Sequence, residues 1–180
     1  TQWSSSAASD VYKRQHTMNV YGERQHPEKF IPNTLWKLQR GEKILIHSDS
    51  TKTKPGSRHY IYAEDVARAV MFIVENKDKL MNKKEDIYGA KCLKVNIPGA
   101  KELNNLEIAQ LISKYSGLEL NFELVDFHSS RPGHDLRYAL DGTLIRSLGW
   151  NHKYSIEDSF EKLIHWFLDN PESVSYTHLR

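Results

Sequence analysis

Hydrophobic positions along the 180-residue chain change their spacing several times, and each change predicts an element. From Pro32 to Gln39, the residues Leu35, Trp36 and Leu38 fall at helical intervals. Pro32 suits a first helical turn, and Gly41 stands where the helix would stop. Lys43 to His47 is a short β-prone run. Residues 48–57 are polar, contain Pro55-Gly56 and predict a loop, after which Arg58 to Tyr62 resumes an extended pattern. Glu64 and Asp65 open a helix running to about Asn76. Its buried stripe is Val66, Ala69, Val70 and Ile73, and its two acids are expected to serve the helix start. Residues 77–86 mix both charge signs and predict a solvated connection.

The second half continues in the same manner. Leu93 to Ile97 predicts a strand ending at Pro98-Gly99. Asn104 is placed to cap a helix whose inner face is Ile108, Leu111, Ile112 and Tyr115, with Gly117 as its stop. Leu120 to Val125 predicts another strand. Asp141 caps a short helix with Leu144, Ile145 and Leu148, ended by Gly149. Ser155 and Asp158 have capping-box spacing and start a last helix, expected to bury Phe160, Leu163, Ile164, Phe167 and Leu168. Strands alternating with helices argue for an α/β fold. The strands are few and short, which predicts an incomplete parallel sheet and a partial domain.

The two ends break the pattern. Residues 1–15 show no sustained period and no signal-peptide core. Residues 173–180 follow the last helix and lead nowhere. Both ends read as adaptor-derived translation, leaving 16–172 as the expected folded region. The formal net charge is +2. Removing Lys13, Arg14, Arg180 and Asp10 from these ends brings it to zero, so the charge gives no support for nucleic acid or membrane as a partner. No apolar run approaches the length of a membrane span. The single cysteine, Cys92, excludes an intrachain disulfide and suits a cytoplasmic location.

Candidate chemistry centres on Arg131-Pro132-Gly133-His134-Asp135. Pro and Gly make a turn able to hold Arg131 and His134 on one side, and a guanidinium fork fits phosphate or carboxylate. Taken alone, the turn fits a surface loop with Arg131 or Arg137 paired to Asp135 at least as well as an anion clamp. Lys29 is equally open, either solvated or aimed at an anionic ligand. There is no Gly-x-Gly-x-x-Gly, no phosphate-loop motif, no Gly-x-Ser-x-Gly and no His-Glu-x-x-His. Asp126, His128, His134 and Asp135 match no metal-site spacing. Ser129 and Ser130 beside His128 read as turn residues.

Several separated pieces, taken in order, resemble the C-terminal half of an extended short-chain dehydrogenase/reductase. They are Asn19-Val-Tyr-Gly22, Pro27-Glu-Lys-Phe-Ile-Pro32, Arg58-His-Tyr-Ile-Tyr-Ala-Glu-Asp65, Val95-Asn-Ile97, Arg131-Pro-Gly-His-Asp135 with Arg137-Tyr138, and Leu148-Gly-Trp150. Pro-Glu-Lys and Arg-Pro-Gly-His-Asp favour the nucleotide-sugar 4,6-dehydratase branch, the family of dTDP-glucose 4,6-dehydratase. The resemblance implies a Rossmann-type epimerase/dehydratase fold of which this chain is mainly the substrate-binding domain.

By the same resemblance, Asn19, Lys29, Phe30 and Asn96 contact the nucleotide sugar, and Leu45, Ile46 and His47 run beside its base. Arg58 and Arg131, with His134, hold its diphosphate. Val20 falls at a cofactor-side position where many members have Asn. Other departures are His47 for a common aromatic, His59 for a frequent Asp, and a longer 48–57 loop. The family uses NAD, which oxidises C4; water leaves across C5–C6 and the hydride returns to C6. Its Gly-rich turn, Tyr-x-x-x-Lys pair and acid/base carboxylates would all precede Asn19, so no catalytic residue is expected in this chain. The parent enzyme is expected to be a homodimer. The competing readings are an NAD-dependent nucleotide-sugar epimerase of the same superfamily and a non-catalytic nucleotide-sugar binding module.

Overall fold

The computed structural model describes residues 14–82, 94–126 and 137–174. The strands are β1 (Arg14–Thr17), β2 (Val20–Tyr21), β3 (Ile44–Ser48), β4 (Ser57–His59), β5 (Ile61–Tyr62), β6 (Lys94–Ile97), β7 (Glu102–Asn104), β8 (Phe122–Asp126) and β9 (Arg137–Tyr138). The helices are α1 (Phe30–Gln39), α2 (Ala63–Glu75), α3 (Lys77–Asn82), α4 (Asn105–Ser116), α5 (Thr143–Ser147) and α6 (Ile156–Asp169), followed by a 3-10 turn at Pro171–Val174. Three parallel pairs form, β1 with β6, β2 with β5 and β3 with β8. β4 lies between antiparallel β7 and parallel β9. The architecture is thus α/β with small parallel sheets, the class that the alternation of elements predicts. Arg14 and Gln15, inside the end segment expected to lie outside the fold, pair with Lys94 and Val95. Val174, at the other end, is buried.

Side chains alternate across an extended run, and in the run 60–62 this alternation separates the molecule's cores. Tyr60 and Tyr62 enter one, with Tyr21, Leu35, Ile46, Ile108, Ile112, Phe160 and Phe167. Ile61 enters the other, with Ala69, Ile73, Leu80, Val95, Ile97, Ile145 and Trp150. The first core is gathered by α1, α4 and α6 against β3. The second is gathered by α2, α3 and α5 against β6.

The helix starts largely follow the expected chemistry. Asn104 Oδ1 accepts from the Glu107 amide at 2.9 Å while Glu107 Oε2 accepts from the Asn104 amide at 2.7 Å, a complete capping box. Ser155 Oγ accepts from the Asp158 amide, though the reciprocal half of that box is not formed among the described bonds. Asp141 Oδ1 accepts from the amide and hydroxyl of Thr143, the first residue of α5, but the N-cap position expected for Asp141 belongs to Gly142.

Four expectations need correction. Glu64 and Asp65 do not cap α2. Asp65 is buried and accepts from the Lys153 amide at 2.9 Å, while Glu64 accepts from the Tyr154 hydroxyl and from Lys153 Nζ. Both acids do stand in the first turn of α2, as expected, and Asp65 lies 3.9 Å from Arg68, but their hydrogen-bond partners are almost 90 residues away. Of the segment 77–86 expected to be solvated, residues 77–82 form α3 and Leu80 is fully buried in the second core, while 83–86 lie outside the described residues. Leu168 is 37% exposed, one position past the buried face of α6. Residues 102–104, for which the sequence pattern predicts no strand, pair with β4 as β7.

The capping box sets the first testable outcome. Asn104→Ala should cost about 1 kcal/mol of stability, read as a lowered midpoint in urea unfolding. Leu168→Ala should change that midpoint far less, since the side chain is largely in water already.

Candidate functional site

A cleft of about 360 Å³ lies at the start of α1, lined by Asn19, Val20, Tyr21, Gln25, Lys29, Phe30, Ile31 and Tyr60. Three local features shape it. β2 ends at Gly22, where an added Cβ would stand 2.9 Å from Ala63 Cβ, so only glycine lets β2 and the start of α2 come this close. The chain then turns, with the Gln25 amide donating to Gly22 O and Arg24 at a positive φ of 64°. A second turn brings the Lys29 amide onto His26 O at 2.9 Å and delivers Lys29 to the helix N-cap. No side chain caps that helix start. The first-turn amides of a helix carry partial positive charge, and exposed Lys29 adds a full one beside them.

Tyr21 and Tyr60 form the inner wall. Tyr21 is buried, and its hydroxyl shares a 2.6 Å hydrogen bond with Ser159 of α6. Tyr60 donates to Asn105 Oδ1 at 2.8 Å. Burial pushes the Tyr60 hydroxyl up to about 12, against the opposing effects of an Asn19 side-chain hydrogen bond and the Arg58 charge. Tyr60 therefore keeps its proton at neutral pH. The Asn19 bond also ties that residue to the same wall.

The sequence-derived residues divide as follows. Asn19, Val20, Lys29 and Phe30 line the one cleft. Arg58 lies two residues before Tyr60 in the same extended run, and its Nη1 donates to Ser57 O at 2.6 Å. Leu45, Ile46 and His47 sit in β3 outside the cleft lining; Leu45 is 52% exposed, Ile46 is buried in the first core and His47 is half-buried. Asn96 is opposite His16 in the β1–β6 pair, and its amide donates to Asp141 O at 2.9 Å. Arg131 and His134 lie outside the described residues. The strands on either side of them are placed, however. β8 ends beside Ser48 of β3, and β9 runs beside Ser57 and Arg58 of β4.

Glu102 fixes that second junction. Arg137 forks onto its carboxylate with two bonds of 2.8 Å, Ser57 donates to it at 2.5 Å, and His59 Nε2 lies 3.8 Å away. The Arg137 fork first, then the Ser57 hydroxyl, holds the Glu102 carboxyl down at about 2. Sequence reading missed Gln25, Tyr60 and Tyr21 as cleft residues. The two-residue alternation that puts Tyr60 on one face of its run was visible, but which face borders a cleft was not.

The described residues do not fit an NAD cradle. Among them, no glycine-rich turn joins a strand to a helix. The β5–α2 junction is closed by the Gly22–Ala63 contact, the α1 start carries Lys29, and Val20 offers the cleft only an apolar edge.

Residues 13–88 match the model of the NAD dependent epimerase/dehydratase family. The chain carries an epimerase/dehydratase family domain. It is 32% identical over 157 residues to the low-salt glycan biosynthesis protein Agl12 of Haloferax volcanii, covering 87% of this chain and 44% of that protein. It is 33% identical over 165 residues to dTDP-glucose 4,6-dehydratase of Escherichia coli, covering 86% of this chain and 41% of that enzyme. Among solved structures, it resembles the dTDP-glucose 4,6-dehydratase DesIV of Streptomyces venezuelae, which was solved with NAD bound. The TM-score is 0.67 at 27% identity, over 88% of this chain and 44% of that one. The fold is therefore Rossmann-like, of the epimerase/dehydratase kind. The chain spans less than half the length of the relatives it matches.

The depressed Glu102 carboxyl sets a pH dependence. Its contribution to stability is present above the ordinary value of 4.5 and is lost as pH falls through about 2. Glu102→Gln should lower the urea midpoint at pH 6, and the gap from the unaltered chain should narrow as pH drops through that window.

Proposed function

We propose that this chain is the substrate-binding, C-terminal portion of an NAD-dependent nucleotide-sugar 4,6-dehydratase of the dTDP-glucose type. Its folded region takes in Arg14 and Gln15 of β1 and reaches Val174, and the cofactor site and catalytic groups lie in sequence preceding it. The reading rests on one observation above all: Asn19, Val20, Lys29 and Phe30 share a single cleft with Tyr60. Support also comes from the relatives at about one-third identity, which include dTDP-glucose 4,6-dehydratases.

The division of labour follows from the chemistry. A nucleoside diphosphate places two anionic groups side by side. Lys29 and the uncapped start of α1 meet this charge from one direction, and Arg58 meets it from the neighbouring strand. Asn19 and Tyr60 offer neutral hydrogen-bonding groups suited to sugar hydroxyls. Leu45 to His47 flank the base, Asn96 makes a further polar contact, and Arg131 with His134 completes the anion clamp. Val20 stands on the cofactor side. NAD is bound by the preceding half, and the complete enzyme is a cytoplasmic homodimer. The epimerase reading shares this cleft and differs in the catalytic groups beyond the present sequence.

Two measurements test the proposal. The gene extended upstream should yield an enzyme converting dTDP-glucose to a 4-keto-6-deoxy sugar; an inverted sugar in its place would mean an epimerase. The 180-residue chain by itself should show no turnover. For binding, Lys29→Ala should weaken dTDP affinity by about tenfold, since a charge-assisted contact is worth roughly 1.5–3 kcal/mol. Calorimetric titration of the chain would read this, and an unchanged affinity would remove Lys29 from the site.

A further inference from the structure

Gln25 has an unusual position in the cleft. Its backbone is held by the turn in which its amide donates to Gly22 O. Its side-chain Nε2 donates to Val20 O at 2.9 Å. That bond settles which way the amide faces, because only the nitrogen side can donate to a carbonyl. The oxygen side is thereby turned away from Val20. Gln25 Oε1 is shielded from solvent and has no hydrogen-bond partner among the described residues. Buried acceptors are almost always paired, and one left unpaired costs about 1–3 kcal/mol. The turn that carries it is also pinned from its other side. Tyr62 donates to Glu23 at 2.5 Å, and Lys162 lies 3.8 Å from the same carboxylate.

We infer that Gln25 is a specificity determinant, its side-chain oxygen covered in the empty cleft and pairing with a hydroxyl of the hexose once the sugar is seated. The inference rests on the nucleotide-sugar reading of the cleft. The chemistry narrows the ligand group. The oxygen repels phosphate, which presents only acceptors, and needs a neutral donor. Within the same cleft, Lys29 supplies the charge for an anionic group, whereas Gln25, Asn19 and Tyr60 form the uncharged side. The base-flanking run in β3 lies outside this lining. A sugar hydroxyl is thus the donor that reaches Gln25.

Calorimetric titration of the full chain with dTDP-glucose and with dTDP tests this. Gln25→Leu keeps the side-chain size and removes the acceptor. It should weaken dTDP-glucose at least fivefold and change dTDP less than twofold. Monodeoxy analogues of dTDP-glucose complete the test. One of them should bind the unaltered chain more weakly by a similar factor, yet bind Gln25→Leu as well as dTDP-glucose does. Equal weakening of both ligands, with circular dichroism unchanged, would make Gln25 a structural residue and overturn the inference. No change for either ligand would overturn it as well. If the unaltered chain bound neither ligand, the nucleotide-sugar reading would fall and take the inference with it. If Gln25→Leu failed to fold, the monodeoxy series would be repeated on Gln25→Met, which keeps the side-chain length without the acceptor. Loss of discrimination among the analogues by Gln25→Met would support the inference, and unchanged discrimination would overturn it.

Discussion

The hydrogen bond between Tyr21 and Ser159 joins residues 138 positions apart at 2.6 Å, in full burial. Much of the structure depends on it. Tyr21 ends β2, forms the inner wall of the cleft and packs its ring 4.8 Å from Phe160 and 5.7 Å from Tyr62. Ser159 is in the first turns of α6, the helix that closes the larger core. A buried phenol is costly without a partner, so the cleft wall and the closing helix must come together as a unit. The same contact thereby sets the depth of the cleft and the seating of the last helix.

Beside this contact, the cleft lining holds one charged side chain, Lys29 at the start of α1. Its other polar side chains, Asn19, Gln25, Tyr21 and Tyr60, are neutral. The Glu102 carboxylate sits in the neighbouring sheet, beyond the cleft lining. There it is neutralised by Arg137 and anchors β9 against the strand that holds Arg58. Acidic groups near an anion site would oppose binding. Two carboxylates on neighbouring elements are engaged elsewhere, Glu23 by Tyr62 and Lys162, and Glu64 by Tyr154 and Lys153.

Much of the fold could be read from the sequence where the signal was local. The capping box at Asn104–Glu107, the stop at Gly117 and the inward face of α6 up to Phe167 all follow from spacing over one or two turns. What could not be read depended on distant partners. Glu64 and Asp65 look like helix-start acids, and only folding brings Lys153 and Tyr154 to them. Leu80 and Met81 are two apolar residues in a charged run, and Leu80 is buried because it joins Ala69 and Ile73 of α2 with Val95 and Ile97 of β6. For the site, the ordered motifs pointed to Asn19, Lys29 and Phe30, and these lie together. Gln25 and Tyr60 share that cleft without any motif of their own. Gln25 owes its place to a turn closed by its neighbours, and Tyr60 to which face of its run borders the cleft.

The most direct test of the account is a titration of isotope-labelled chain with dTDP-glucose, followed by amide chemical shifts. The account predicts saturable shifts concentrated in residues 19–31 and around Arg58 and Tyr60. Shifts confined to the far side of the fold, around Met71 and Trp150, or no shifts at millimolar ligand, would contradict it.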